Sequence, residues 1–71
     1  MTFGRFQKRL GAKLAELRGG AGLTQQEAAE AAGITRQHLQ RVEYGLANPK
    51  AETLYELARI YKLTIAELVE V

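Results

Sequence analysis

The chain has 71 residues, ten Lys and Arg against eight Glu, a net charge of +2 and a single histidine. It lacks Cys, Ser and Asp, which excludes disulfides, thiolate metal sites and Ser or Cys nucleophiles, and a multi-histidine metal site would need a second chain. No apolar run approaches the ~20 residues that cross a bilayer. The basic start "MTFGRFQKRL" lacks the apolar stretch and cleavage site of a signal peptide, so one cytoplasmic, non-enzymatic domain over residues 1–71, without metal or cofactor, is expected.

Phe3, Phe6, Leu10, Leu14 and Leu17 recur at helical spacing and predict an amphipathic first helix from about residue 3–5 to Arg18. Gly19, Gly20 and Gly22 are expected to end it. In "LTQQEAAEAAG", Thr24 and Glu27 fit a capping box, with Leu23 able to staple onto Ala28. That helix ends at Ala32, and Gly33 suits the left-handed position beyond it. The third helix starts two residues later, with Thr35 as N-cap, Ile34 and Leu39 as its staple, and Gly45 as its end after Tyr44. Two short helices joined by about three residues with a glycine form a helix-turn-helix pattern over about 24–45. Asn48-Pro49 reads as the cap and first turn of a fourth helix, with Leu54, Leu57, Ala58 and Tyr61 on one face. Thr64 and Glu67 make a second capping box, stapled by Leu63 and Leu68, for a last helix running to Val69 or Val71. The whole predicts an all-α, compact five-helix bundle.

The third helix carries the functional question. With Leu39 and Val42 inward, positions 36, 37, 40, 41 and 44 face out. Arg36 offers a planar fork of donors that matches guanine O6 and N7, and Gln37 offers the donor–acceptor pair that adenine requires. On the residue pattern alone, an ordinary solvated face fits equally well. Charge adds a bias: eight basic side chains stand against four acidic in residues 1–50, a net of +4, and two against four in residues 51–71, a net of −2. An anionic partner would meet the first part. Gln25 and Gln26 begin the second helix beside unpaired N–H groups, a ready phosphate site. Gln26 alternatively only extends the capping turn. Asn48, Lys50 and Lys13 are further candidates for phosphate contact or for plain solvation. His38 has no partner for catalysis and sits where it could flank a backbone or sugar.

From "GLTQ" through "AAG", "R-x-x-L-x-x-V-E-x-G", "NP" and "ETL-x-x-LA", about residues 6–69 resemble the phage repressor/Cro type of helix-turn-helix domain, the XRE-like family. The resemblance implies a lambda-repressor-like fold of five helices, with the third in the major groove of double-stranded DNA. It also implies a homodimer on an inverted repeat. Arg36 and Gln37 fall where members of the family read base edges, Arg41 at a base or phosphate position one turn on, and Gln25 where a phosphate is bound and the recognition helix braced. Thr35 joins the candidate base contacts, and His38, Gln40 and Tyr44 the candidate backbone contacts. Arg18 and Glu43 align with a partly buried ion pair, although as residues they could equally be separate surface charges. Ala28 departs from the family's larger aliphatic residue, Lys50 stands where a Ser cap is common, and Gly19-Gly20 is unusually flexible.

Leu46, Ile65, Val69 and Val71 are more apolar than the rim of so small a bundle needs, and are candidates for a dimer interface. Two-fold symmetry would set the two recognition helices ~34 Å apart, one turn of DNA. The function these readings support is a sequence-specific transcriptional regulator. The alternative is a protein-interaction module, such as an antitoxin whose main partner is a toxin.

Overall fold

Side-chain caps set most of the helix starts. The computed structural model describes residues 1–71 and contains α1 (Phe3–Gly20), α2 (Gln25–Ala32), α3 (Arg36–Glu43), α4 (Ala51–Ile60) and α5 (Ile65–Leu68). Thr24 Oγ1 accepts from Glu27 N at 3.1 Å while Thr24 N donates back to Glu27 Oε1 at 2.9 Å. Thr64 and Glu67 repeat this box with the same distances, and Thr35 Oγ1 accepts from His38 N at 3.0 Å. Each cap satisfies a donor that the helix itself leaves orphaned. Thr2 caps α1 in the same way, accepting from Arg5 N at 3.2 Å.

Three boundaries differ from the sequence reading. α1 continues through Gly19 and Gly20. Glycine weakens a helix without stopping it; the stop comes at Gly22, whose φ of 72° is left-handed. α4 begins at Ala51, with Lys50 as an N-cap that makes no side-chain bond. Asn48 does not cap it, because its Oδ1 is taken by Gln7 Nε2 of α1 at 2.7 Å. α5 stops at Leu68, short of Val69 and Val71. Phe3, placed by periodicity on the buried face of α1, is 62% exposed and lies tilted against Phe6, ring centroids 6.5 Å apart.

The core is built from Leu14, Leu39, Leu57, Leu68 and Val42, all essentially free of solvent, each contributing ~1.5–3 kcal/mol by burial. α2 presents only Ala28, Ala29 and Ala32 to it. That all-alanine face is how the small residue at 28 is accommodated: α2 packs against α3 and α4 with no large side chain of its own, in one core cluster with Leu39 and Leu57. α1 packs on α3 through Gly11, where an added Cβ would lie 2.5 Å from the carbonyl oxygens of both Val42 and Glu43. No helix is long and apolar enough to cross a membrane.

Candidate nucleic-acid interface

α3 divides cleanly. Leu39, Val42 and Glu43 are buried, while Arg36, Gln37, Arg41 and Tyr44 are exposed and His38 and Gln40 are half-buried. The division follows from helical spacing. Leu39 and Val42 lie three apart, so Arg36 and Gln37 are carried out on the first turn and Arg41 and Tyr44 on the next. Thr35 accepts the His38 amide and keeps its own hydroxyl proton available for donation. Arg41 Nη2 donates to the carbonyl of Leu46 at 3.3 Å, which anchors one nitrogen and leaves the rest of the guanidinium fork free.

Glu43 holds this helix in place. Its Oε2 accepts from Arg18 Nε at 2.8 Å, and its Oε1 accepts from Arg18 Nη2 at 3.2 Å and from Gln25 Nε2 at 3.0 Å. Arg18 Nη1 also donates to the carbonyl of Leu23 at 3.0 Å. One carboxylate thus ties α3 to α1 and to the start of α2, and Arg18 extends the tie to the turn between them. The hydrogen bonds that Arg18 donates to Glu43, reinforced by the carboxylate's charge, raise the Arg18 pKa above its already high value, against the opposing effect of burial. Neutralised in this way, Glu43 sets no bare negative charge on α3. Tyr61 lies nearby, and burial, with the Glu43 charge, pushes its phenol up to about 12. Its hydroxyl has no hydrogen-bond partner.

The remaining polar candidates fall into two groups. Gln25 starts α2 with one amide proton still free. Gln26 donates to Glu30 Oε1 at 2.7 Å along the same helix. His38 and Lys50 line one hollow with Gly33, Ile34, Thr53 and the acidic Glu52, between the starts of α3 and α4, and α4's first amides there have no side-chain cap. Lys13 is apart from all of these. Its ammonium donates to the backbone carbonyls of Glu67 and Glu70, the latter at 2.9 Å, at the junction of α1 with α5. Two of its three donors are thereby engaged within the protein.

Among the apolar candidates, Leu46 is 57% exposed in the α3–α4 connection, whereas Ile65, 41% exposed, Val69 and Val71 lie together at the end of the chain described. Ile65 borders a shallow groove with Tyr55 and Leu63. Tyr55 was not among the residues singled out by the sequence. The signal was present, since an aromatic at 55 lies off the buried stripe of Leu54, Leu57, Ala58 and Tyr61. Gly11, inside the amphipathic stripe of α1, gives a similar if weaker signal, because an isolated helical glycine is one place where a neighbouring backbone can approach. No group of three or more His, Cys, Asp or Glu side chains is gathered as for a metal.

A helix-turn-helix family model matches residues 14–68. The uncharacterised HTH-type transcriptional regulator y4dJ of Sinorhizobium fredii is 41% identical over 63 residues, covering 89% of this chain and 82% of that one. The HTH-type transcriptional regulator PuuR of Escherichia coli is 35% identical over 57 residues, and the matched region spans 80% of this chain but only 31% of that longer protein. In structure, the restriction-modification controller protein C.AhdI from Aeromonas hydrophila superposes with a TM-score of 0.82 at 31% identity, covering 87% of this chain and 94% of that one. With the capped α2–turn–α3 unit and the outward polar face of α3, these matches place the chain in the helix-turn-helix family of DNA-binding transcriptional regulators.

Proposed function

We propose that residues 1–71 act as one cytoplasmic, non-catalytic domain that binds an inverted-repeat operator as a homodimer, with α3 in the major groove. The observation that carries this reading is the division of α3. Its inner face is fixed to the body by Leu39, Val42 and the Glu43 carboxylate, and its outer face presents Arg36, Gln37 and Arg41 to solvent. Arg36 is matched to guanine, Gln37 to adenine, and Arg41 and the Thr35 hydroxyl to adjacent base edges. Gln25, Gln26, His38, Gln40, Tyr44, Asn48 and Lys50 border this face and hold the phosphates that set register. Lys50 at the uncapped start of α4 supports the same role, its charge and the free amides there favouring an anion against the opposing Glu52 carboxylate in the first turn. Ile65, Val69 and Val71, with Leu46, form the apolar contribution to the dimer.

Fluorescence anisotropy against duplexes from the gene's own upstream region, beside a shuffled duplex, tests the reading. Arg36→Ala is expected to cost ~1–3 kcal/mol on the correct site and to relax specificity there. Equal weakening on correct and shuffled DNA overturns the base-reading role. Lys50→Ala is expected to lower the salt slope by about one unit, and an unchanged slope removes it from the phosphate contacts.

A further inference from the structure

Charge is distributed more unevenly than the split at residue 50 suggests. Residues 16–50, which hold the whole α2–turn–α3 unit, carry four basic side chains against four acidic ones. Residues 1–15 carry Arg5, Lys8, Arg9 and Lys13 and no acidic side chain. All of the basic excess of the first fifty residues therefore lies on α1. Lys13 is turned to the end of α5. The other three are exposed and bond to nothing in the fold, whose two ion pairs use Arg18 and Arg59. They stand at positions i, i+3 and i+4, neighbours on one side of the helix, where like charges repel. The first turn of α1 has no acidic residue, and the helix dipole disfavours cations there as well. An anion laid along the three relieves both costs.

α1 is held so that this side flanks the recognition helix. It meets α3 at Gly11 and runs about 12 Å further toward Phe3. Phe6 packs on the core and Gln7 donates to Asn48 at 2.7 Å, which carries positions 5, 8 and 9 outward. Gly45, the residue after Tyr44, lies so close to α1 that an added Cβ would stand 2.9 Å from the Cα and Cγ of Lys8. The cations thus continue from the last turn of α3, where Arg41 and Tyr44 are exposed. All three precede residues 14–68, the span of the helix-turn-helix match.

We infer that this side of α1 is a second DNA-binding surface: Arg5, Lys8 and Arg9 hold the phosphate backbone beside the groove occupied by α3, and supply the net charge that the helix-turn-helix unit lacks. This rests on the placement of α3 proposed above. Contacts of this kind carry no sequence information and release counterions, so they are read by salt dependence on DNA of any sequence.

The test measures binding of the full chain to a shuffled duplex by fluorescence anisotropy between about 50 and 200 mM salt. The triple variant Arg5→Gln/Lys8→Gln/Arg9→Gln is expected to lower the salt slope by about two to three units. Arg5→Lys/Arg9→Lys, which keeps every charge, is expected to retain it. The triple variant is expected to melt no lower than wild type, because the three side chains bond to nothing in the fold. A slope unchanged in the triple variant overturns the second surface and leaves α3 as the DNA-binding element. A slope lost equally in the charge-conserving variant, or a lowered melting midpoint in the triple variant, overturns the electrostatic assignment. Wild-type binding to phosphatidylglycerol vesicles that exceeds duplex binding and vanishes in the triple variant overturns it in favour of a membrane surface. A wild-type chain that binds neither the shuffled duplex nor DNA from its own upstream region overturns the placement of α3 and the second surface together.

Discussion

α3 and α5 are both short, at eight and four residues, and they are fastened by opposite means. α3 meets α1 backbone to backbone at Gly11, with no side chain between them to rearrange. It is tied further by a buried carboxylate with both oxygens engaged. α5 is held by one buried leucine, a solvent-exposed capping box and a flexible lysine. The difference teaches how unequally the two helices are anchored: α3 through backbone contact and a buried carboxylate, α5 through one buried side chain and bonds made at the surface.

The largest way to break the comparison is Gly11→Ala. Alanine normally strengthens a helix by ~0.5–1 kcal/mol over glycine. Here its methyl would sit 2.5 Å from two carbonyl oxygens, so a loss of ~3 kcal/mol is expected. Gly19→Ala, with nothing within 4 Å of the new Cβ, is expected to give the ordinary gain. Urea unfolding of the pair checks both, and two gains would show that α3 is not docked by the backbone. Next in size, Glu43→Ala is expected to cost ~2–3 kcal/mol, because the Arg18 and Gln25 donors lose their acceptor. The Arg18 side chain is 21% exposed, which keeps the loss below that of a fully enclosed pair. DNA affinity should fall with it, as α3 loosens.

The C-terminal half offers smaller handles. Lys62 has a φ of 60°, at the end of α4 where three other turns carry glycine. Lys62→Gly is expected to stabilise by ~1 kcal/mol in thermal melts. The two capping-box carboxyls, Glu27 and Glu67, are held below the usual glutamate range, chiefly by the backbone N–H groups of Thr24 and Thr64. A carboxyl depressed in the folded state stabilises above its unfolded pKa, and that contribution is lost as pH falls through the depressed value. Glu67→Gln is therefore expected to flatten the acid limb of stability slightly. An unchanged limb would mean that the α5 box does not persist in solution.

Local chemistry was legible in the sequence and tertiary approach was not. Thr24, Thr35 and Thr64 could be read as caps because each bond closes within three residues. The outward set Arg36, Gln37 and Arg41 followed from helical spacing alone. Asn48 was misread because Asn-Pro is a strong local start signal, and no local rule shows that Gln7, forty-one residues away, takes its side-chain oxygen. The bonds of Lys13 were hidden for the same reason: a basic residue on an amphipathic helix gives no sign that carbonyls fifty-four and fifty-seven residues later will lie beneath it. Gly19 and Gly20 were overread, since glycine content marks where a helix can end, whereas the left-handed residue at Gly22 marks where it does.

The glycine beneath α3 also bears on how such a protein diversifies. A helix docked through its neighbour's backbone keeps its depth and angle whatever its outer side chains become. On the function proposed above, exchanges at Arg36 and Gln37, which make no bond to the scaffold, would alter what is read with little change in how the helix is held, whereas an exchange at Arg41 would also release the Leu46 carbonyl.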